Sequence, residues 1–188
     1  MYTPCRKVTL TDGEELAKMV EPYFNRTAEH FCSHQHAPSS GTTGGAGMCK
    51  GKDGIYIAWK IFEDYATKGE LIAKTVVLKA LDTLLGNDKS LETNLGSMGV
   101  ATLREQKDES RYIAHLLYAV PTKRGKNIEI IEDIYPVYNI DLSIKIPTKV
   151  KKAYLAPQNI EIPFEEKDGR ISVKIEKLDC HQMVVFDV

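Results

Sequence analysis

The 188 residues carry 25 basic and 26 acidic side chains, a formal net charge of -1, and are 43% hydrophobic. That balance gives no bulk attraction for nucleic-acid phosphates, and the densest basic cluster, Lys149, Lys151 and Lys152, reads as a solvated strand end. No apolar run reaches the length of a membrane helix, "MYTPCRKVTL" lacks a signal-peptide core, and Cys5, Cys32, Cys49 and Cys180 form no CxxC. The expectation is therefore a soluble, cytoplasmic chain with reduced thiols, binding neither nucleic acid nor membrane.

From the N-terminus, "EELAKMVEPYF" reads as the start of a helix or an irregular edge. The following "EHFCSHQHAPSSGTTGG" sets His30, Cys32, His34 and His36 within seven residues, a density that raises metal chemistry. On an extended backbone they share a face, but same-face neighbours stand about 7 Å apart and all four span about 20 Å. Zinc holds its ligands at about 2.0–2.3 Å, so at most an adjacent pair such as His34 and His36 reaches one ion. Further ligands would have to come from Cys49 or the Cys180-His181 pair. The favoured expectation is no metal and no cofactor, with the four residues acting as a loop-fixing or interface segment through imidazole hydrogen bonds. Cys32 beside His30 or His34 has the residue types for a thiol nucleophile but no framing motif. The run "GTTGGAG" lacks the Lys-Ser/Thr and following helix of a phosphate loop, so a flexible surface connection is expected.

After the turn Lys52-Asp53-Gly54, "GIYIAWKIF" predicts a buried strand. "KGELIAKTVVLKALDTLLGND" then repeats Leu71, Ile72, Val76, Leu78, Leu81, Leu84 and Leu85 at helical spacing and stops at Gly86 and Asn87. It predicts a helix over 70–85 whose apolar stripe packs back on a sheet, on the sandwich, or on another copy of the chain.

Beyond residue 95 the period becomes two. "VATLREQ", "RYIAHLLYAV", "NIEIIED", "VYNIDLSIKI", "KKAYLAP", "GRISVKIEKL" and "HQMVVFDV" predict about seven short strands of an antiparallel sandwich. In "ISVKIEKL", Ile171, Val173 and Ile175 should face the core, with Lys174 and Glu176 outward. The expected fold class is α+β, a partial α/β segment over 1–92 followed by an antiparallel β-sandwich over 97–188. The carboxylate pairs Glu14-Glu15 and Glu165-Glu166 are adjacent and point apart, unlike the facing pair of a glycosidase. His115 reads as a hydrogen-bonded position in or beside the core. Trp59, Tyr112, Tyr118, Tyr135, Tyr138 and Tyr154 could stack on sugars, although aromatics in alternating strands serve cores more often.

The ordered segments "PYFNRTAEHFCSHQHAP", "GIYIAWKIFEDYATKGELIAKTVVLKALDTLL", "ATLREQKDESRYIAHLLYA", "IEIIEDIYPVYNIDLSIKIP" and "HQMVVFDV" together resemble the C-terminal part of a bacterial glycoside-hydrolase-like family. Its members carry an N-terminal (β/α)8 barrel, a glutamine-amidotransferase-like domain of the β-galactosidase trimerisation type, and a C-terminal β-sandwich. The resemblance implies that residues 1–92 are the last portion of the trimerisation-type domain and that the catalytic barrel lies outside this chain. It transfers no catalytic residue to any position here. The expected function is then a non-catalytic accessory and assembly region of a sugar-cleaving enzyme, the chain itself being no enzyme. Its expected partners are further copies of itself or the missing barrel, and the loop from His30 to Ala46 is expected near that contact. The alternatives are a carbohydrate-binding module using the sandwich aromatics and a small metal- or thiol-dependent enzyme centred on Cys32.

Overall fold

The computed structural model describes residues 3–23, 28–29 and 37–188. They fall into two compact units, Met1–Gly86 and Asn87–Val188.

In the first unit, β1 (Glu14–Pro22), β2 (Ser39–Gly51) and β3 (Gly54–Ile57) form an antiparallel sheet in that order. Of the two readings of "EELAKMVEP", the irregular edge is the one found: β1 is an edge strand with a shifting register. One sequence expectation changes here, since the glycine-rich run is the middle strand of the sheet rather than a flexible connection. The reason lies in how closely neighbours approach β2. A Cβ on Gly47 would stand 2.2 Å from the Trp59 ring, and one on Gly44 would stand 2.2 Å from the Glu21 carboxylate. Glycine thus lets large side chains lie directly on the backbone, a role that composition alone does not separate from loop-forming. Bulges between β1 and β2 accommodate the irregular register. Strand β3 is an edge strand with Tyr56 exposed, so it is less buried than its apolar run suggests.

Two helices follow, α1 (Ile61–Lys68) and α2 (Leu71–Leu85), ended by Gly69 and Gly86, both at positive φ. Their glycine N–H groups donate to Tyr65 O and Asp82 O, each at 2.9 Å. Asp64 on α1 is 1% exposed, and its carboxylate accepts from the Thr3 N–H at 3.0 Å and from the Thr3 hydroxyl. A buried carboxylate without such donors would be costly, so this contact fixes the N-terminal segment to the helix.

The boundaries of α2 agree with the sequence, but the first unit's own sheet is not what covers its leucine stripe. The fully buried positions are Ala73 and Ala80, with Val76 and Val77 half-buried between them. Leu71, Ile72, Leu78, Leu81, Leu84 and Leu85 are exposed, Leu71 at 73%. Small residues allow a close approach of the helix to α1 and β3, and that narrow side rather than the leucine stripe supplies the contact.

The second unit has eleven strands: β4 (Leu91–Thr93), β5 (Gly99–Gln106), β6 (Arg111–Tyr118), β7 (Thr122–Gly125), β8 (Ile128–Ile130), β9 (Val137–Ile144), β10 (Lys152–Ala156), β11 (Ile160–Glu161), β12 (Phe164–Lys167), β13 (Arg170–Leu178) and β14 (His181–Asp187). A five-stranded sheet, β11-β10-β14-β6-β5, and a four-stranded sheet, β12-β13-β9-β4, share one core, and β7-β8 is a separate hairpin. All their described pairings are antiparallel. Phe186, Val184, Leu116 and Ala114 from one sheet meet Ile140, Leu142, Ile144 and Ile175 from the other. Ile171, Val173 and Ile175 point inward with Lys174 and Glu176 outward, as the alternation predicts. Arg170 ties three elements together: its Nε donates to Ser143 Oγ at 2.9 Å, Nη1 donates to Lys89 O at 2.7 Å, and Nη2 pairs with Glu92 at 3.0 Å.

Candidate functional site

His30, Cys32, His34 and His36, expected to fix a loop, form an interface or hold a metal, lie outside the described residues. Strands β1 and β2 pair up to Pro22 opposite Ser39, and the Tyr23 N–H donates to Pro38 O at 2.6 Å. Pro22, Tyr23, Pro38 and Ser39 thus stand side by side at this end of the sheet. Beside this neck lies a cleft of about 670 Å³, lined by Cys5, Lys7, Lys18, Met19, Glu21 and Trp59 among others. Lys7 pairs with Glu21 across it, and the Cys5 thiol lies 3.6 Å from the Met19 sulfur. The cleft offers an ion pair and an apolar wall. Among these lining residues no base adjoins the thiol, so the nucleophile-base arrangement of covalent catalysis is not formed by them.

A second groove, about 450 Å³, opens on the four-stranded sheet between Asp141, Ser143, Phe164, Glu165, Ser172 and Lys174. Its carboxylates are separated by pairing: Asp141 stands opposite Lys174, and Glu165 opposite Ser172. The Asp141 carboxylate also accepts from Asn94 Nδ2 at 3.1 Å. Glu166 pairs with Ile171, so Glu165 and Glu166 alternate in direction along β12, and Glu14 and Glu15 are exposed at the start of β1. No facing acid-base pair results among these four.

The aromatic side chains divide by burial. Tyr112 is in the core, its hydroxyl donating to Glu105 at 3.1 Å; burial first, then that contact, raises its pKa above the ordinary tyrosine value. Tyr118 packs against the core, and Tyr154 lies beneath the Lys152 ammonium. Trp59 fits over Gly47. Tyr135 and Tyr138 are exposed, and the Tyr135 hydroxyl donates to Asp133 at 3.1 Å.

His115 takes the hydrogen-bonded role expected of it, but its partner is unexpected: Nδ1 lies 3.1 Å from Nε2 of His181. Burial, then the neighbouring His181 and Arg104, lower the His115 pKa from its ordinary value. The two residues are 66 positions apart, and nothing local in the sequence marks them as neighbours. Strand pairing alone brings them together. Among the described residues no three His, Cys, Asp or Glu side chains converge as a metal site, and no helix is long and apolar enough to cross a membrane.

The described architecture is thus a helix-bearing antiparallel sheet unit and an antiparallel β-sandwich, without a framed catalytic constellation among the described residues. No protein-family model matches the sequence, and no curated protein matches it. Among solved structures, the whole chain is similar to part of alpha-L-fucosidase isoenzyme 2 from Paenibacillus thiaminolyticus, at 53% identity and a TM-score of 0.91. The match covers 100% of this chain and 28% of that one, so the chain spans little more than a quarter of the length of the glycoside hydrolase it matches.

Proposed function

We propose that this chain is a non-catalytic accessory and assembly region of a glycoside hydrolase of the α-L-fucosidase class, normally joined to a catalytic domain elsewhere in a longer polypeptide. The observation carrying this reading is the outward leucine face of α2. Leu71, Ile72, Leu78, Leu81, Leu84 and Leu85 lie on one 15-residue helix and are all exposed. Leu71, Leu78, Leu81 and Leu85 fall within about 80° of one helix face, and an exposed apolar stripe of this kind marks an interaction site more often than a free solvent face. The match of all 188 residues to 28% of a fucosidase supports one occupant: polypeptide from the remainder of such an enzyme. In this reading the first unit is the end of a trimerisation-type domain, and the His30–His36 stretch lies near an assembly contact.

Co-expression with the remainder of the Paenibacillus thiaminolyticus enzyme tests the docking face. The chain should co-purify with it, and Leu78→Glu combined with Leu81→Glu should abolish co-purification while leaving the chain's own melting temperature unchanged. Co-purification that survives both charges would remove α2 from the interface. A second reading, sugar binding by the sandwich, draws support from the exposed rings of Tyr135 and Tyr138. Chemical-shift changes confined to those two residues on addition of L-fucose would favour it.

A further inference from the structure

The outer face of the five-stranded sheet carries two imidazoles joined nitrogen to nitrogen. His115 on β6 and His181 on β14 belong to hydrogen-bonded antiparallel neighbours, with His115 opposite Met183 and His181 opposite Leu117. Alternate residues of a strand share a face, so His115, His181 and Met183 lie together on one side. The other side holds Ala114, Leu116, Val184 and Phe186 in the core. The ring planes agree within 3° and their centroids stand 5.4 Å apart. That separation exceeds the 3.1 Å N···N distance by two ring radii. The two nitrogens therefore lie on the line between the ring centres, and the rings meet edge to edge rather than face to face.

We propose that His115 and His181, with the Met183 thioether as third donor, form a site for one late first-row transition-metal ion, copper ahead of zinc. In the metal-free pair one imidazole nitrogen donates its proton and the other accepts it. A metal ion takes that proton's place when both nitrogens present lone pairs. Metal–nitrogen bonds of about 2.0–2.1 Å place two nitrogens of a tetrahedral ion about 3.3 Å apart, a few tenths of an ångström beyond the spacing already present. Because each nitrogen lone pair lies along the line between the ring centres, a tetrahedral ion also requires each ring to turn by about 35°, through its side-chain torsions, while the paired strands hold their Cα atoms in place. Nitrogen donors bind Cu2+ more tightly than Zn2+ across the divalent series, and a thioether sharpens that preference because copper is the softer partner. The neighbouring Arg104 guanidinium opposes added positive charge. This suits an exchangeable site completed by water rather than a closed structural one.

Titration of the EDTA-dialysed 188-residue chain with CuCl2 and with ZnCl2 at pH 7.5 tests the site. One copper per chain is expected, with electron paramagnetic resonance showing two coupled nitrogens. His115→Ala and His181→Ala should each abolish that equivalent while leaving the circular dichroism and melting temperature unchanged. Met183→Leu should keep the stoichiometry and narrow the preference for copper over zinc. The sequence has five histidines, so a His34→Ala/His36→Ala variant is the necessary control and should retain the copper. Absence of binding at tenfold excess metal, binding indifferent to His115 and His181, or binding lost only in the His34/His36 variant would each overturn the proposal. An unchanged metal preference in Met183→Leu would remove the thioether from it.

Discussion

Gly47 and Trp59 show how a single absent side chain shapes the first unit. The indole occupies the space a Cβ on Gly47 would need, at 2.2 Å, so any larger residue there displaces an aromatic ring packed on the middle strand. Gly47→Ala should destabilise the chain by about 1–3 kcal/mol, the usual cost of overpacking. In a Trp59→Ala background the same substitution should cost much less, because the clashing ring is gone. Urea denaturation of the four species measures that coupling, and strict additivity would mean that Gly47 is kept for another reason. Such a glycine is legible in the sequence as a glycine but not as a contact. The run "GTTGGAG" looks like a loop until the side chains lying against it are known. The His115–His181 contact is illegible for a related reason, since it depends on which strand β14 chooses as its neighbour.

At the scale of elements, the strands of the second unit were largely readable, because one face of each is buried and the other solvated. The alternation in "ISVKIEKL" has a direct physical cause in the core behind β13. The helix α2 was readable in its extent, with Gly86 as its stop, but not in its facing. Spacing identifies an apolar stripe without saying what the stripe meets, and here the unit's own packing uses the alanines. The consequence reverses what the leucine pattern suggests. Ala73→Leu should destabilise by about 1–3 kcal/mol, since Ala73 is 1% exposed and leaves no room. Leu78→Gln and Leu81→Gln should each change stability by no more than about 0.5 kcal/mol, as surface substitutions do. Thermal denaturation of the three variants is the check; leucine variants as damaging as Ala73→Leu would show that the stripe is covered in the isolated chain.

For the molecule as a whole, the resemblance to a glycoside-hydrolase family and the similarity to an alpha-L-fucosidase point to the same broad class of protein. The fucosidase match spans all 188 residues at 53% identity, while leaving most of that enzyme's length unmatched. Within the described residues, the carboxylate pairs noted in the sequence do not face one another across either groove. Under the proposed function, the chain supports a glycosidase without performing the reaction. Hydrolysis of nitrophenyl α-L-fucopyranoside by the purified chain, beside the intact Paenibacillus thiaminolyticus enzyme as positive control, tests it most directly. The expected result is background release of nitrophenol from the chain and robust turnover from the control. Turnover by the chain that disappears on replacing a single Asp or Glu would contradict the claim.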